Sequence, residues 1–165
     1  MGEDMERMDE EKRRTLGRVR ALLYEWGRAE RHICDLMEQQ RIATERIMEL
    51  DRDIGSHAPP DGQPRSTAPG DPIWRAFQAR ERMKEIFADE VETCHRELEK
   101  IREFQSSVGE LVAQLDPVER DVIAWRYVKG AEWLYVGFKM SMDESTARRH
   151  DREACEKLAE KMSWS

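Results

Sequence analysis

The chain has 165 residues, of which 39% are hydrophobic and 38% are charged, and its formal net charge is −7 at pH 7. This length allows one domain or two small ones. So large a charged fraction excludes a thick globular core, but it suits long helices that bury one apolar stripe. No segment approaches the ~20 apolar residues that a membrane-spanning helix needs, and the N-terminal residues lack the apolar run of a secretory signal.

The three cysteines, Cys34, Cys94 and Cys155, are far apart and form no CxxC pair. An odd number without metal-binding spacing argues against a disulfide or zinc framework and favours a reducing compartment. We therefore expect a cytoplasmic protein with no membrane partner. Each cysteine lies on or near an apolar helical stripe, so all three are expected to be buried.

A seven-residue repeat of apolar side chains runs from Val19 to Ile54. Spacings of three and four residues sustained in this way are typical of a coiled-coil helix, which we predict over about residues 8–54. The repeat comprises Val19, Leu22, Trp26, Ala29, Ile33, Leu36, Gln40, Ala43, Ile47, Leu50 and Ile54.

The composition changes abruptly after this repeat. Residues 55–72 contain five of the six prolines, which predicts a flexible Gly/Pro-rich loop over 55–70. A second long helix is predicted over 71–115, because Asp71 can cap it and Pro72 suits its first position. Its apolar register comprises Phe87, Val91, Cys94, Leu98, Ile101, Gln105, Val108, Val112 and Leu115.

Two helices of similar length joined by a loop predict a long antiparallel coiled-coil hairpin over residues 1–115. Gln40 and Gln105 interrupt its apolar registers. They either face a second hairpin and set the register of a homodimer, or lie at a wet edge of the seam.

Residues 116–165 contain three short amphipathic segments separated by breaks of a few residues, which predicts a three-helix helix-turn-helix domain. A capping box at Asp116-Pro117-Val118-Glu119 opens the first segment, Lys129-Gly130 ends it, and Asp143 caps the last. The predicted inward side chains are Val118, Val122, Ile123, Tyr127, Trp133, Val136, Met140, Ala147, Ala154 and Leu158.

The start of the last segment carries residues suited to reading DNA. A recognition helix contacts base edges from its N-terminal turns, and the two donors of arginine match the O6 and N7 acceptors of guanine. Hydroxyl groups suit phosphate oxygens. The candidates are Glu144, Ser145, Thr146, Arg148, Arg149 and Arg152, with Lys129 and Lys139 at helix ends. The alternative is a solvated face with pairs such as Arg149–Glu153.

The final segment, residues 117–165, balances nine basic against nine acidic side chains. Since a basic face normally drives DNA affinity, a dimer or a partner would have to supply the rest. Leu134, Tyr135 and Phe138 are predicted on the outside of a short helix. They form either a partner-contact patch or a surface that the hairpin covers.

Catalytic patterns are missing from the sequence. We find no nucleophile elbow, phosphate loop, zinc spacing or pair of catalytic carboxylates, so no enzymatic activity, cofactor or metal is expected.

LDPVERDVIAWRY, the G-x-x-W at Gly130–Trp133 and the capped STARRH helix resemble region 4 of sigma-70-type factors. They also resemble the sigma-region-4-like late-gene activators of phages and prophages, of the RinA and ArpU type. The resemblance implies a regulator in a bacterial host cell that binds double-stranded promoter DNA, with RNA polymerase as a candidate second partner. It implies that Glu144, Ser145, Arg148, Arg149 and Arg152 face DNA.

The chain departs from that pattern in its second short helix, where Gly137 replaces the usual alanine and Ser141 replaces the turn glycine. No counterpart of sigma region 2 is visible, so a complete sigma factor is not expected. Two other classes fit the layout: a small-terminase-like DNA-packaging protein, and a helical scaffold or adaptor that uses a sigma-like fold for protein contacts.

Overall fold

The computed structural model describes residues 2–56 and 71–162, and every element in this part of the chain is helical. The predicted all-α class is therefore confirmed. The elements are α1 (Gly2–Ser56), α2 (Pro72–Ala113), α3 (Pro117–Ile123), a π-helical turn (Ala124–Val128), α4 (Trp133–Met140) and α5 (Glu144–Lys161). The predicted loop over 55–70 falls outside the described residues except for its first two, which belong to α1. None of the described helices is apolar and long enough to cross a membrane.

The predicted start of α2 is confirmed. The carboxylate of Asp71 accepts a hydrogen bond from the backbone N–H of Ile73 at 3.0 Å, and Pro72 is the first helical residue. This bond satisfies one of the backbone donors that every helix leaves free at its N-terminus.

Two compact units divide the chain: Met1–His32 together with Ile101–Ser165, and Ile33–Lys100. We call them the C-terminal unit and the middle unit. The sequence-based boundary between residues 115 and 116 stays a prediction. That boundary lies where the sequence pattern changes. The two units are defined by packing, and α1 and α2 each contribute residues to both of them.

The middle unit buries part of the predicted apolar register of each long helix. The salt bridge from Lys84 Nζ to the Asp51 carboxylate, 2.6 Å long, joins α2 to α1. Cys94 is buried as expected, but Cys34 is exposed, because it lies one position beyond the register residue Ile33. The buried hydrophobic residues here are Ile33, Leu36, Ala43, Cys94 and Leu98.

The core of the C-terminal unit combines both long helices with α3, the π-helical turn and α5. Leu23 is fully buried there although it lies outside the predicted register, so α1 buries a second stripe in this unit. Trp26 Nε1 donates to the backbone oxygen of Gln105 at 3.1 Å, and the Gln105 amide donates to Glu30 at 3.1 Å. The buried core residues are Val19, Leu23, Val108, Val112, Leu115, Ile123, Tyr127, Ala154, Cys155 and Leu158.

The first turn of α3 differs from its predicted orientation. Val118 is 41% exposed, whereas Glu119 is 3% exposed, so the prediction that Val118 faces inward is wrong. Lys157 of α5 explains the difference, since its ammonium group lies 2.7 Å from Glu119 and 3.0 Å from Asp116. These hydrogen bonds, first to Glu119 and then to Asp116, raise the pKa of Lys157. The Asp116 side chain makes no capping bond, although α3 begins at the predicted residue.

At Gly27 the backbone of α1 lies close to the backbone of the π-helical turn. A Cβ atom built on Gly27 would lie 2.0 Å from the carbonyl oxygen of Tyr127 and 2.5 Å from its carbonyl carbon. In the π-helical turn the Lys129 N–H donates to the Ala124 carbonyl at 3.0 Å, one residue further back than in an α-helix. Glycine at position 27 is therefore required by the approach of two backbones.

Gly27→Ala is expected to destabilise the fold by about 1–3 kcal/mol or more, because the added methyl group must displace backbone atoms. Gly17→Ala is the matched control, since a Cβ atom at that position of the same helix would have nothing within 4 Å. Alanine there should stabilise α1 by roughly 0.5–1 kcal/mol. Urea unfolding of both variants measures the difference, and equal effects would contradict the close approach.

Candidate nucleic-acid interface

α4 and α5 are joined by a turn of three residues, Ser141–Asp143. Ser141 ends α4 in the left-handed conformation with φ of 55°. The Met142 N–H donates to the Gly137 carbonyl at 2.9 Å. A Cβ atom on Gly137 would lie 2.7 Å from the Met142 oxygen, so this position has room only for glycine. The turn thus folds back tightly on α4.

A small apolar cluster connects the same elements. Val122 of α3, Val136 of α4 and Ala147 of α5 are fully buried together, with Trp133 and Met140 partly buried against them. The inward positions predicted for these residues are confirmed. The cluster holds the inner side of α5 and leaves its N-terminal outer side exposed.

Asp143 directly precedes α5, as predicted, but its side chain makes no capping hydrogen bond to the backbone. Its carboxylate instead accepts hydrogen bonds from the hydroxyl groups of Ser145 and Thr146. These bonds, first from Ser145 and then from Thr146, hold the pKa of Asp143 below its ordinary value. The hydroxyl hydrogens of the two candidates are therefore already donated within the turn, and their oxygens remain as acceptors.

The three candidate arginines of α5 are all exposed. Arg148 donates to Glu144 from Nη2 at 2.6 Å and from Nε at 2.9 Å, whereas Arg149 lies 3.9 Å from Glu153. Both are pairs four residues apart, so the solvated-face alternative describes part of this surface. Exposed pairs of this kind contribute only about 0–1 kcal/mol, and they can be exchanged for another anion at little cost.

Lys129 and Lys139 converge on Trp125, a residue that the sequence patterns did not single out. Their ammonium groups lie 3.8 Å and 5.5 Å from the centre of its ring. The sequence does contain a signal for the first of these contacts. Trp125 and Lys129 are four residues apart, and this spacing makes two side chains neighbours on the surface of a helix. Cation–π contacts of this kind hold both lysines beside α4.

Leu134, Tyr135 and Phe138 are 74%, 47% and 76% exposed. We call them the α4 patch. All three side chains are thus exposed to solvent in the described part of the chain, and their contact with a partner stays a prediction. The Tyr135 ring lies 5.9 Å from that of Trp125, so the patch continues into the surface that carries both lysines.

Asp151 is a residue of this site that the sequence patterns did not reveal. Its carboxylate is 1% exposed and accepts hydrogen bonds from the Tyr127 hydroxyl at 2.8 Å and from Arg20 Nε at 3.3 Å. The Cys155 thiol lies 3.8 Å away. RRHDRE has the composition of a solvated charge run, yet Asp151 follows Ala147 by four residues on the buried stripe of α5. Burial and then the Asp151 charge raise the pKa of the Cys155 thiol to about 12.

Among the described residues, no group of three or more His, Cys, Asp and Glu side chains could hold a metal ion. The chain belongs to the family described as Protein of unknown function (DUF722), whose model matches residues 77–160. No curated protein and no solved structure matches the chain. The matched range covers most of α2, all of α3 and α4, and nearly all of α5, and it leaves out α1.

Tyr127→Phe is expected to change the alkaline stability. Burial, and then the Asp151 charge, raises the pKa of Tyr127 above its ordinary 10.0. Above that pH the unfolded chain loses the proton while the folded chain keeps it. The stabilising contribution is therefore complete below about pH 10 and falls by ~1.4 kcal/mol for each further pH unit.

The Tyr127→Phe variant should lose about 1.5–3 kcal/mol of stability at pH 7, because the hydrogen bond to Asp151 is removed. Its stability should also decline less steeply above pH 10. Urea unfolding at several pH values measures both effects. Tyr135→Phe, which removes a hydroxyl from an exposed ring, is the control. A decline as steep in Tyr127→Phe as in the unchanged protein would contradict the role given to this proton.

Proposed function

We propose that the protein is a sequence-specific DNA-binding transcription regulator of phage or prophage origin. In this proposal α4, the Ser141–Asp143 turn and α5 act as a helix-turn-helix of the sigma region 4 type, preceded by a hairpin of α1 and α2. The observation that supports it is the tight turn at Gly137, which leaves the N-terminal turns of α5 exposed and rich in arginine.

Ser145, Arg149 and Arg152 recur at spacings of four and three residues, so they share one face of α5. The major groove of DNA is about 12 Å wide and admits one α-helix. Arg149 is suited to a bidentate contact with guanine, because its present partner Glu153 is distant and exposed. Arg152 has no carboxylate within ion-pair distance among the described residues, so its charge is available to DNA.

A homodimer through the long helices is the second part of the proposal. The net charge of −7 opposes DNA binding, and two copies of α5 would double the local basic surface. The middle unit exposes large hydrophobic side chains that a second copy would cover: Met37, Ile42, Met48, Ile73, Phe77, Met83 and Ile86. Sedimentation analysis separates the rivals, since a ring of eight or more subunits would favour a small-terminase-like packaging protein over a dimeric regulator.

The Arg148→Ala/Arg149→Ala double variant is expected to lose specific promoter binding, because each bidentate base contact contributes ~1–3 kcal/mol. Arg13→Ala/Arg18→Ala is the matched control, since it removes the same charge from exposed positions of α1. Fluorescence anisotropy with promoter and scrambled duplexes measures the ratio of affinities. Unchanged affinity of the Arg148→Ala/Arg149→Ala variant for promoter DNA would contradict the assignment of α5 as the recognition helix.

The α4 patch is proposed to contact RNA polymerase. Its three apolar side chains lie on the outer side of α4, and apolar patches of this kind mark protein contacts. Leu134→Ser/Phe138→Ser is expected to abolish transcription activation in a reconstituted assay while leaving DNA affinity within about twofold, since no base-reading side chain changes. The control, Val118→Ser, removes an exposed apolar side chain elsewhere. Full activation by the patch variant would rule out this contact.

A further inference from the structure

A groove with a volume of about 250 Å³ lies between α1, the π-helical turn and α5 in the C-terminal unit. Four arginines line it, and they come from three elements: Arg20 from α1, Arg126 from the π-helical turn, and Arg148 and Arg152 from α5. Because these elements are distant in sequence, only the tertiary fold brings the four guanidinium groups together.

The charges of the groove are only partly balanced by the carboxylates that pair with its arginines. Asp151 pairs with Arg20 at 3.2 Å, and Glu144 pairs with Arg148 at 2.6 Å. Arg126 and Arg152 form no ion pair with a carboxylate among the described residues. Arg126 donates from Nη1 to the Ala131 carbonyl at 3.0 Å, and its buried Nε has no acceptor there. Two positive charges are thus left over in a chain whose net charge is negative.

The aromatic side chains of the groove are already occupied. The guanidinium carbons of Arg126 and Arg148 lie 4.8 Å and 5.6 Å from the Trp133 ring centre. Arg126 also lies 5.9 Å from the Tyr24 ring, which packs edge-on against Tyr127 at 4.7 Å. Because these rings already make cation–π contacts with the arginines, they are poorly placed to stack on a nucleic-acid base. The groove is suited to an anion that accepts hydrogen bonds from prearranged guanidinium groups.

We propose that this groove binds a phosphate group of the DNA backbone, and that α1 is therefore part of the DNA interface. The inference rests on the proposed function, because Arg148 and Arg152 belong to the helix that would read the bases. A backbone phosphate held beside that helix fixes its position on the duplex without reading sequence. Arg20 then has two roles, since it neutralises buried Asp151 and faces the phosphate.

The first experiment measures how DNA affinity of the full chain depends on salt. Removing one phosphate contact lowers the slope of log affinity against log salt by about 0.9. Arg126→Gln is expected to lower the slope by that amount while leaving the preference for promoter over scrambled DNA unchanged. Arg18→Gln, which removes the same charge from an exposed position two residues from Arg20, is expected to keep the slope.

Arg20→Gln alone would leave Asp151 buried without a cation and could unfold the chain. The double variant Arg20→Gln/Asp151→Asn removes both charges together, and the amide of asparagine can still accept from Tyr127. It is expected to fold and to lower the slope by about 0.9, as Arg126→Gln does. If both groove variants keep the wild-type slope of log affinity against log salt, the proposal that the groove binds a phosphate is overturned. If Arg148→Ala/Arg149→Ala abolishes promoter binding in the same assay, the proposed function survives that result.

The second experiment detects the anion directly by NMR. Titration with inorganic phosphate is expected to shift the Nε–H signals of Arg20, Arg126 and Arg152 and the indole N–H of Trp133 saturably, with Arg149 unaffected. Duplex DNA should compete for the same signals. Equal shifts at Arg149 would show nonspecific charge screening and overturn the site. Competition by adenosine monophosphate but not by DNA would make it a nucleotide site and overturn the assignment to the DNA backbone.

Discussion

The carboxylate of Asp151 lies at the point where α1, the π-helical turn and α5 meet, and the arrangement of the C-terminal unit depends on it. A buried charge is costly unless it is paired and hydrogen-bonded. The Tyr127 hydroxyl and the Arg20 guanidinium supply those partners from two other elements. α5 is therefore stable in this position only when α1 is in place beside it, and the same pairing turns Arg20 toward the exposed arginines of α5.

Two glycines allow the backbones to come as close as this arrangement requires. Gly27 lets α1 approach the carbonyl group of Tyr127, and Gly137 lets α4 approach the turn before α5. The π-helical turn contributes to the first contact, since its wider hydrogen bonding carries the backbone of Tyr127 against α1. Such turns are often found at functional sites, and this one places Arg126 beside Trp133.

Much of the helical layout could be predicted, because it depends on local patterns. The seven-residue repeat identified the buried stripes of α1 and α2, and Asp71 with Pro72 marked the start of α2. The apolar face of α5 followed from Ala147, Ala154 and Leu158, which are fully buried. Val118 is exposed, contrary to the prediction, and Glu119 is buried instead. The reason is that Lys157, thirty-eight residues beyond Glu119, donates a hydrogen bond to that carboxylate. A contact at that separation leaves no mark in a local pattern.

The sequence by itself determined the helices, the cap of α2 at Asp71 and the arginines at the start of α5, since each depends on neighbours within a few residues. The tertiary structure alone decided that Leu23 is buried, that Asp151 is a buried partner rather than a solvated charge, and that Arg20 and Arg126 join Arg148 and Arg152. The physical reason is that apolar burial and charge pairing between α1 and α5 act across more than one hundred residues. The spacing of apolar residues indicates which face of a helix is buried, but it does not indicate which other helix packs against that face.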